Sequence, residues 1–228
     1  MLRIREAIMY FLIPLCLCIM AAFICMEKQE KYVPAVVLKG LASLCFVVLG
    51  MKLSPGTSAA KMITAGLLLG CIADVLLNLR YVFQEKGQLV FLLGILVFLS
   101  GHIAYLLGIM RMAGNFIICF VLALILTALL MKWIFARIEA KTAFKIFGIF
   151  YIGAVVLLNV CAFASLAKTP SMFTGIFAAG ALLFLVSDIV LILNTFGPEQ
   201  KFILRVTNLS LYYAGQILIA LSLLYLTV

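Results

Sequence analysis

Long apolar runs broken by short polar links fill this chain from end to end. Eight of them reach helical-span length, near residues 7–25, 34–51, 62–79, 89–110, 113–131, 145–163, 171–194 and 204–226. About 20 apolar residues carry a helix across the hydrocarbon core of a bilayer. No water is present there to satisfy backbone N–H and C=O groups, so runs of this kind must be helical. The pattern predicts an all-α polytopic membrane protein with eight transmembrane helices and almost nothing left for a soluble domain. Arg3 and Arg5 give the first run the look of a secretory signal. No small-x-small site precedes a mature soluble chain, so that run is expected to remain as a helix.

The polar positions inside the runs carry the next layer. Gly66-Leu-Leu-Leu-Gly-Cys-Ile-Ala-Asp74-Val-Leu-Leu-Asn-Leu79 lines up without a gap on Gly180-Ala-Leu-Leu-Phe-Leu-Val-Ser-Asp188-Ile-Val-Leu-Ile-Leu193, 114 residues later. That offset halves the chain. The third run answers to the seventh and the fourth to the eighth, which predicts one membrane domain over residues 1–228. It is built as two parallel four-helix repeats of about 1–112 and 113–228. An even number of spans per repeat makes the duplication parallel rather than inverted. Asp74 and Asp188 are the only aspartates, whereas all six glutamates fall at the ends of runs or between them. An Asp at the centre of an inserted helix costs roughly 2.5–3.5 kcal/mol, so a matched pair calls for a compensating partner or role.

Composition agrees with the pattern. Of the 228 residues 67% are hydrophobic and 11% charged, with a mean hydropathy of +1.31, values no soluble domain shows. The net charge of +9 is scattered over short loops and does not gather into a nucleic-acid face. It reads instead as topology. Lys28, Lys31, Arg80, Lys86, Lys132, Arg137, Lys141, Lys145, Lys201 and Arg205 fall on the odd-numbered links. Arg3, Arg5, Lys52, Lys61, Arg111 and Lys168 fall on the other side. Ten against six places the odd links in the cytoplasm. The seven cysteines all lie within apolar runs without a C-x-x-C spacing, as small buried hydrophobes do.

Several polar groups lie toward the odd-link face. In the third span Gly66, Gly70, Asp74 and Asn78 recur at four-residue steps and form one stripe, whose glycines suit close helix packing. In the fourth, His102 and Tyr105 share a face. His102 is the only histidine, so a three-histidine zinc site cannot be built, and no metal or cofactor is expected. In the eighth, Asn208, Tyr212 and Gln216 form a polar stripe that must face protein or water. Lys39 in the second span either snorkels to the interface or faces the carboxylates or a phosphate. Asn159, Trp133 and Tyr151 are assigned to packing and interface anchoring.

These motifs resemble those of the YhhN-like lysoplasmalogenase family of multi-pass membrane proteins. The resemblance is carried by A-G-L-L-L-G-C-I-A-D-V-L-L around Asp74, G-H-I-A-Y around His102, G-A-L-L-F-L-V-S-D around Asp188 and Y-Y-A-G-Q-I-L-I-A around Tyr212. It covers most of the chain from about Lys39 onward. Two positions depart from the family pattern. Gly40 stands where proline usually follows the intramembrane lysine, and Ala73 stands where glycine usually precedes the first aspartate. The resemblance implies hydrolysis of the vinyl ether bond of lysoplasmalogens to a fatty aldehyde and a glycerophospho head group. Vinyl ethers open when a proton reaches the β-carbon, giving an oxocarbenium ion that water captures. Two carboxyls can divide that work, one as acid and one as anion, as in a glycosidase. On this reading Asp74 and Asp188 are catalytic, and His102 and Tyr105 orient one carboxyl or the attacking water. Tyr212 and Gln216 hold the other carboxyl, Asn78 lines the site, and Lys39 meets the head-group phosphate. The implied partners are a lysophospholipid substrate and membrane lipids. The expected location is the plasma (inner) membrane of a bacterium, and the gathering of polar groups toward the odd-link face predicts a site open to the cytoplasmic side.

Two other classes compete. Acids in a helix bundle also mark proton-coupled carriers, although here the polar groups favour one face. A hydrolase of another lysolipid is the second, but no G-x-S-x-G elbow is present and Ser187 has no neighbouring base, which weakens serine chemistry.

Overall fold

The computed structural model describes residues 2–226. Met1, Thr227 and Val228, which the single-domain division includes, lie outside the described residues, as do the side chains of Arg3 and Arg5 counted in the charge balance. Among the described residues eight α-helices follow one another without a strand: α1 (Leu2–Lys28), α2 (Tyr32–Leu53), α3 (Ser58–Leu79), α4 (Gly87–Ile109), α5 (Phe116–Phe135), α6 (Thr142–Lys168), α7 (Met172–Phe196) and α8 (Phe202–Ser222). All eight are long and apolar enough to cross a membrane. The expected runs coincide with them, and the differences lie at the ends, where polar residues rather than hydropathy decide. Asn115 opens α5 by accepting from the N–H groups of Ile117 and Ile118. Ser171 and Thr174 close a reciprocal capping box at α7, each satisfying an amide that the first turn leaves open. Gly114, at φ +84°, makes the left-handed turn before that Asn115 cap, a conformation glycine adopts without a Cβ penalty. The last span leaves α-geometry at Ser222 and ends in a 3-10 turn, Leu223–Tyr225.

The chain forms two compact units. One runs to Tyr105 and takes back the residues from Leu223 on; the other is Leu106–Ser222. In the first, α2 packs against both α1 and α3 over a core that includes Phe23, Ala42, Phe46, Leu49, Ile63 and Leu67. In the second, α6 packs against α5 and α7, and α7 lies along α8. Ala123, Met131, Ile134, Ile152 and Val156 are core residues of this unit. The opposite surface of α5 is bare hydrocarbon: Ile117, Ile118, Val121, Leu124, Ile125 and Leu129 are all exposed. Apolar exposure on that scale is stable only against lipid or protein.

Each unit contains a crossing in which backbones nearly touch. A Cβ on Gly180 would lie 2.8 Å from the Gly215 carbonyl oxygen, and one on Gly215 would lie 2.9 Å from that of Gly180. In the first unit, a Cβ on Gly66 would lie 3.0 Å from the Gly101 oxygen and one on Gly101 3.3 Å from that of Gly66. The two glycine pairs are related by the same 114-residue offset as the aspartates. Gly101 and Gly215 thus belong to the internal similarity, beyond the stretch around the carboxylates.

Candidate functional site

In the first unit, four buried polar side chains meet between α2 and α3. Lys39 and Ser43 stand one turn apart on α2, and Asp74 and Asn78 one turn apart on α3, so each pair shares a helix face. The Lys39 ammonium lies 3.1 Å from Asp74 Oδ1 and donates to Asn78 Oδ1 at 3.2 Å. Ser43 Oγ donates to Asp74 Oδ2 at 2.5 Å. All four residues are at most 3% exposed. Lys39 therefore does not snorkel. Its stem turns inward, its charge is spent on a carboxylate and an amide, and the Phe23 ring lies 5.7 Å from its nitrogen. Buried ions persist where they are paired and their remaining valences hydrogen-bonded, and Ser43 and Asn78 provide that. α2 and α3 approach closely at Gly40, where a Cβ would lie 3.1 Å from Val75 Cγ2 and the valine would have to give by a few tenths of an ångström.

On α4, His102 is buried, with Tyr105 edge-on at 6.2 Å between ring centroids. Phe98 stacks on its other neighbour position at 6.5 Å. The Tyr105 ring occupies the space that a side chain on Gly66 would need. The small-residue stripe of α3 thus seats an aromatic ring from α4.

In the second unit, Asp188 on α7 is 4% exposed and accepts a hydrogen bond from Tyr151 Oη on α6 at 3.0 Å. Tyr151, expected to anchor at the interface, instead turns its hydroxyl to the carboxyl. Beside it, Asn208 of α8 donates to the carbonyl oxygen of Ser187 at 2.9 Å and to its hydroxyl at 2.8 Å. The Ser187 hydroxyl in turn donates to the Asn208 carbonyl at 3.1 Å. This lock fixes α8 against the turn of α7 that carries Asp188. Gln216 Nε2 donates to Tyr212 Oη along α8 at 3.2 Å, and the Tyr212 ring stands edge-on to Phe184 at 5.2 Å. Asn159 ties α6 to α7 by donating to the Ala181 carbonyl at 3.2 Å, in keeping with its packing assignment. Trp133, 42% exposed, carries Arg137 over its ring at 4.1 Å.

The structure thus groups Lys39 with Asp74 and Asn78, His102 with Tyr105, and Tyr212 with Gln216. Ser43 and Tyr151 are additions that sequence reasoning did not name as site residues. Both had a signal. Ser43 follows Lys39 by one helical turn, and Tyr151 lies on the helix preceding Asp188 as Lys39 lies on the helix preceding Asp74. Among the described residues, no three His, Cys, Asp or Glu side chains cluster in a way that could hold a metal ion.

With this geometry in place, comparison with known proteins gives one match: the YhhN family model covers residues 34–223, well over half of the 228. The chain belongs to the YhhN family. No curated protein matches it and no solved structure does. YhhN membership and the eight apolar helices together describe a lysoplasmalogenase-like integral multi-pass membrane protein, from a family associated with hydrolase activity. Within the YhhN match fall both aspartates, Lys39, His102, Tyr212 and Gln216, as well as Ser43 and Tyr151. The matched carboxylates have unmatched surroundings. Offset by 114, Lys39 and Ser43 correspond to Gly153 and Leu157, while Tyr151 corresponds to Val37. At that offset the acids match and the groups facing them differ, a cation and a hydroxyl for one and a phenol for the other.

Proposed function

We propose that this protein hydrolyses the vinyl ether bond of lysoplasmalogens, with Asp74 and Asp188 as its catalytic carboxyls. The reading is supported by YhhN membership and by the burial of two carboxyls in membrane-spanning helices with different partners. The chemistry demands such a division. A proton must reach the β-carbon of the alkenyl chain, and the oxocarbenium ion that forms needs negative charge nearby and then water at C1. The hemiacetal so formed collapses to the fatty aldehyde and the glycerol hydroxyl of the head-group fragment. The overall reaction consumes one water and needs no redox partner. Asp74, facing the Lys39 ammonium and accepting from Ser43, suits the anion. Asp188, facing the neutral Tyr151 hydroxyl, suits the donor. Preorganised groups of this sort need no reorganisation when charge develops. His102, Tyr105, Tyr212 and Gln216 supply buried polar edges for orienting the carboxyls or the water. The substrate is a lysophospholipid of the surrounding membrane, and the protein works in the plasma membrane of a bacterium with the odd links in the cytoplasm.

The single observation that carries the reading is the pair of buried, differently partnered aspartates in a YhhN chain. Hydrolysis in water enriched in oxygen-18 tests the route directly. Capture of the oxocarbenium ion by water at C1 and collapse of the hemiacetal break the C1–O bond and leave the glycerol oxygen in place, so mass spectrometry of the glycerophospho fragment should show no oxygen-18. A labelled glycerol hydroxyl would refute the route, because it marks attack at the glycerol carbon with an enol as leaving group.

A further inference from the structure

Lys39, the cation expected to meet a head-group phosphate, is engaged by Asp74 and Asn78. Another cation is placed to do that work. Arg80 follows the last turn of α3, six residues beyond Asp74, or about 9 Å of helical rise toward the odd-link end. Its guanidinium carbon lies 4.5 Å from the Tyr81 ring centroid and 4.5 Å from that of Phe91 on α4. Tyr81 in turn stacks on Tyr32, the first residue of α2, at 5.2 Å and 16°. Tyr32 precedes Lys39 by two helical turns and so lies on the same face of α2. The turn is held firmly, since a Cβ on Gly87 at the start of α4 would lie 2.8 Å from the Arg80 carbonyl oxygen.

The guanidinium is conspicuously under-used. Nη2 donates to the Tyr81 hydroxyl, Nε is buried without an acceptor, and no carboxylate among the described residues pairs with it. An arginine that only anchors a helix end extends its donors into water or head groups, whereas a structural one finds carbonyls or an acid. Arg80 does neither. Aromatic faces hold the guanidinium by its planes and leave its edge donors for a planar or tetrahedral oxyanion. A buried N–H of this kind gains most from a charged acceptor.

We propose that Arg80, walled by Phe91 and by Tyr81 with Tyr32 stacked behind it, binds the phosphodiester of a lysolipid head group. The proposal rests on the reading of the protein as a lysophospholipid hydrolase, and it assigns the part of the substrate that the two aspartates do not handle. The rise from Asp74 to Arg80 is of the order spanned by a glycerol backbone with its vinyl ether, so a phosphate at Arg80 leaves the alkenyl group in the bilayer beside the first carboxyl. The four residues act together, the rings fixing the plane of the guanidinium and the guanidinium supplying charge and two edge donors.

The test uses ligands that cannot be cleaved. Full-length protein in nanodiscs is titrated with a saturated-ether (alkyl) lysophosphoethanolamine and with the matching alkylglycerol lacking phosphate. Affinities are read by native mass spectrometry for wild type, Arg80→Gln, Arg80→Lys and Arg111→Gln. Wild type should bind the phosphorylated lipid about tenfold or more tightly than the alkylglycerol, the scale of one charge-assisted contact. Arg80→Gln should bring the two within about twofold by weakening only the phosphorylated ligand, Arg80→Lys should keep part of the gap, and Arg111→Gln all of it. Should Arg80→Gln not give monodisperse protein, Phe91→Leu, which removes one wall, should narrow the gap severalfold. An undiminished gap in Arg80→Gln or in Phe91→Leu, or no gap in wild type, overturns the site. Competition by inorganic phosphate as effective as that by the lysolipid overturns the lipid assignment in favour of free phosphate. Because nothing is cleaved, absent turnover would remove the proposed reaction and leave this result standing. Equal binding would remove the site and leave the reaction.

Discussion

Replacing Lys39 by methionine removes a buried charge while keeping most of the side-chain volume. The Lys39 and Asp74 side chains are 4% and 1% exposed and their charged atoms are 3.1 Å apart. After the change, Ser43 is still able to donate to the Asp74 carboxyl, but the cation is gone and Asn78 Oδ1 loses a donor. Breaking a buried ion pair from one side costs about 3–5 kcal/mol, because the other charge is stranded. For a chain of this size that corresponds to a fall in Tm of roughly 6–20 °C, at about 2–4 °C per kcal/mol. The cost belongs to the stranded charge, so it should shrink when the charge is removed as well. In a double-mutant cycle of Lys39→Met and Asp74→Asn, the double variant should be more stable than the sum of the single losses by about 2 kcal/mol or more, within the usual range for residues in direct contact. Equilibrium unfolding in mixed micelles, followed by loss of helical signal, measures all four proteins. Additive losses within about 0.5 kcal/mol would refute the reasoning, since the two side chains would then not be acting as a pair.

Two further substitutions probe other parts of the structure. Tyr151→Phe keeps the ring and removes the hydrogen bond to Asp188; it should cost only about 0.5–1.5 kcal/mol of stability yet lower kcat for aldehyde release by about tenfold or more. Turnover within twofold of wild type would take Tyr151 out of the support of that carboxyl. Gly180→Ala puts a methyl 2.8 Å from the Gly215 oxygen and 3.0 Å from the Ile219 nitrogen. Both are backbone atoms of α8 that cannot rotate away, so thermal unfolding in detergent should show a loss of about 1–3 kcal/mol. Gly101→Ala, whose nearest atom is 3.3 Å away, should lose less, and the reverse order would contradict the crossing described here.

The parts of this protein that a sequence declares most loudly are those that concern solvent. Eight apolar runs became eight helices because length and hydropathy alone decide what can cross a bilayer. The aspartates were visible for the same reason, as charges where charge is expensive. Rotation of each helix about its axis was far less legible. In a soluble helix the apolar stripe marks the inward face, but lipid and protein interior are both apolar, so α5 or α6 carries little record of which side faces its neighbours. Lys39 could therefore be read as reaching for the interface when it turns to Asp74, and Tyr151 as an interface anchor when it faces Asp188. Small residues keep the record that hydropathy loses. Gly101 and Gly215 mark the close crossings, and their 114-residue offset gives the match of the fourth helix to the eighth a residue-level basis. Arg80 was read only as one more basic residue on a cytoplasmic link, because stacking by Tyr81 and Phe91 depends on the turn between α3 and α4, which hydropathy does not describe.

The most direct measurement is aldehyde release by purified protein in lipid nanodiscs, comparing a vinyl-ether lysophospholipid with its ester counterpart for wild type, Asp74→Asn and Asp188→Asn. The account predicts aldehyde from the vinyl ether with wild type, no release of fatty acid from the ester, and loss of turnover by about 1,000-fold or more in each variant while both remain folded. Full activity in either folded variant would remove that aspartate from the reaction, and no aldehyde from folded wild type would contradict the account at its centre.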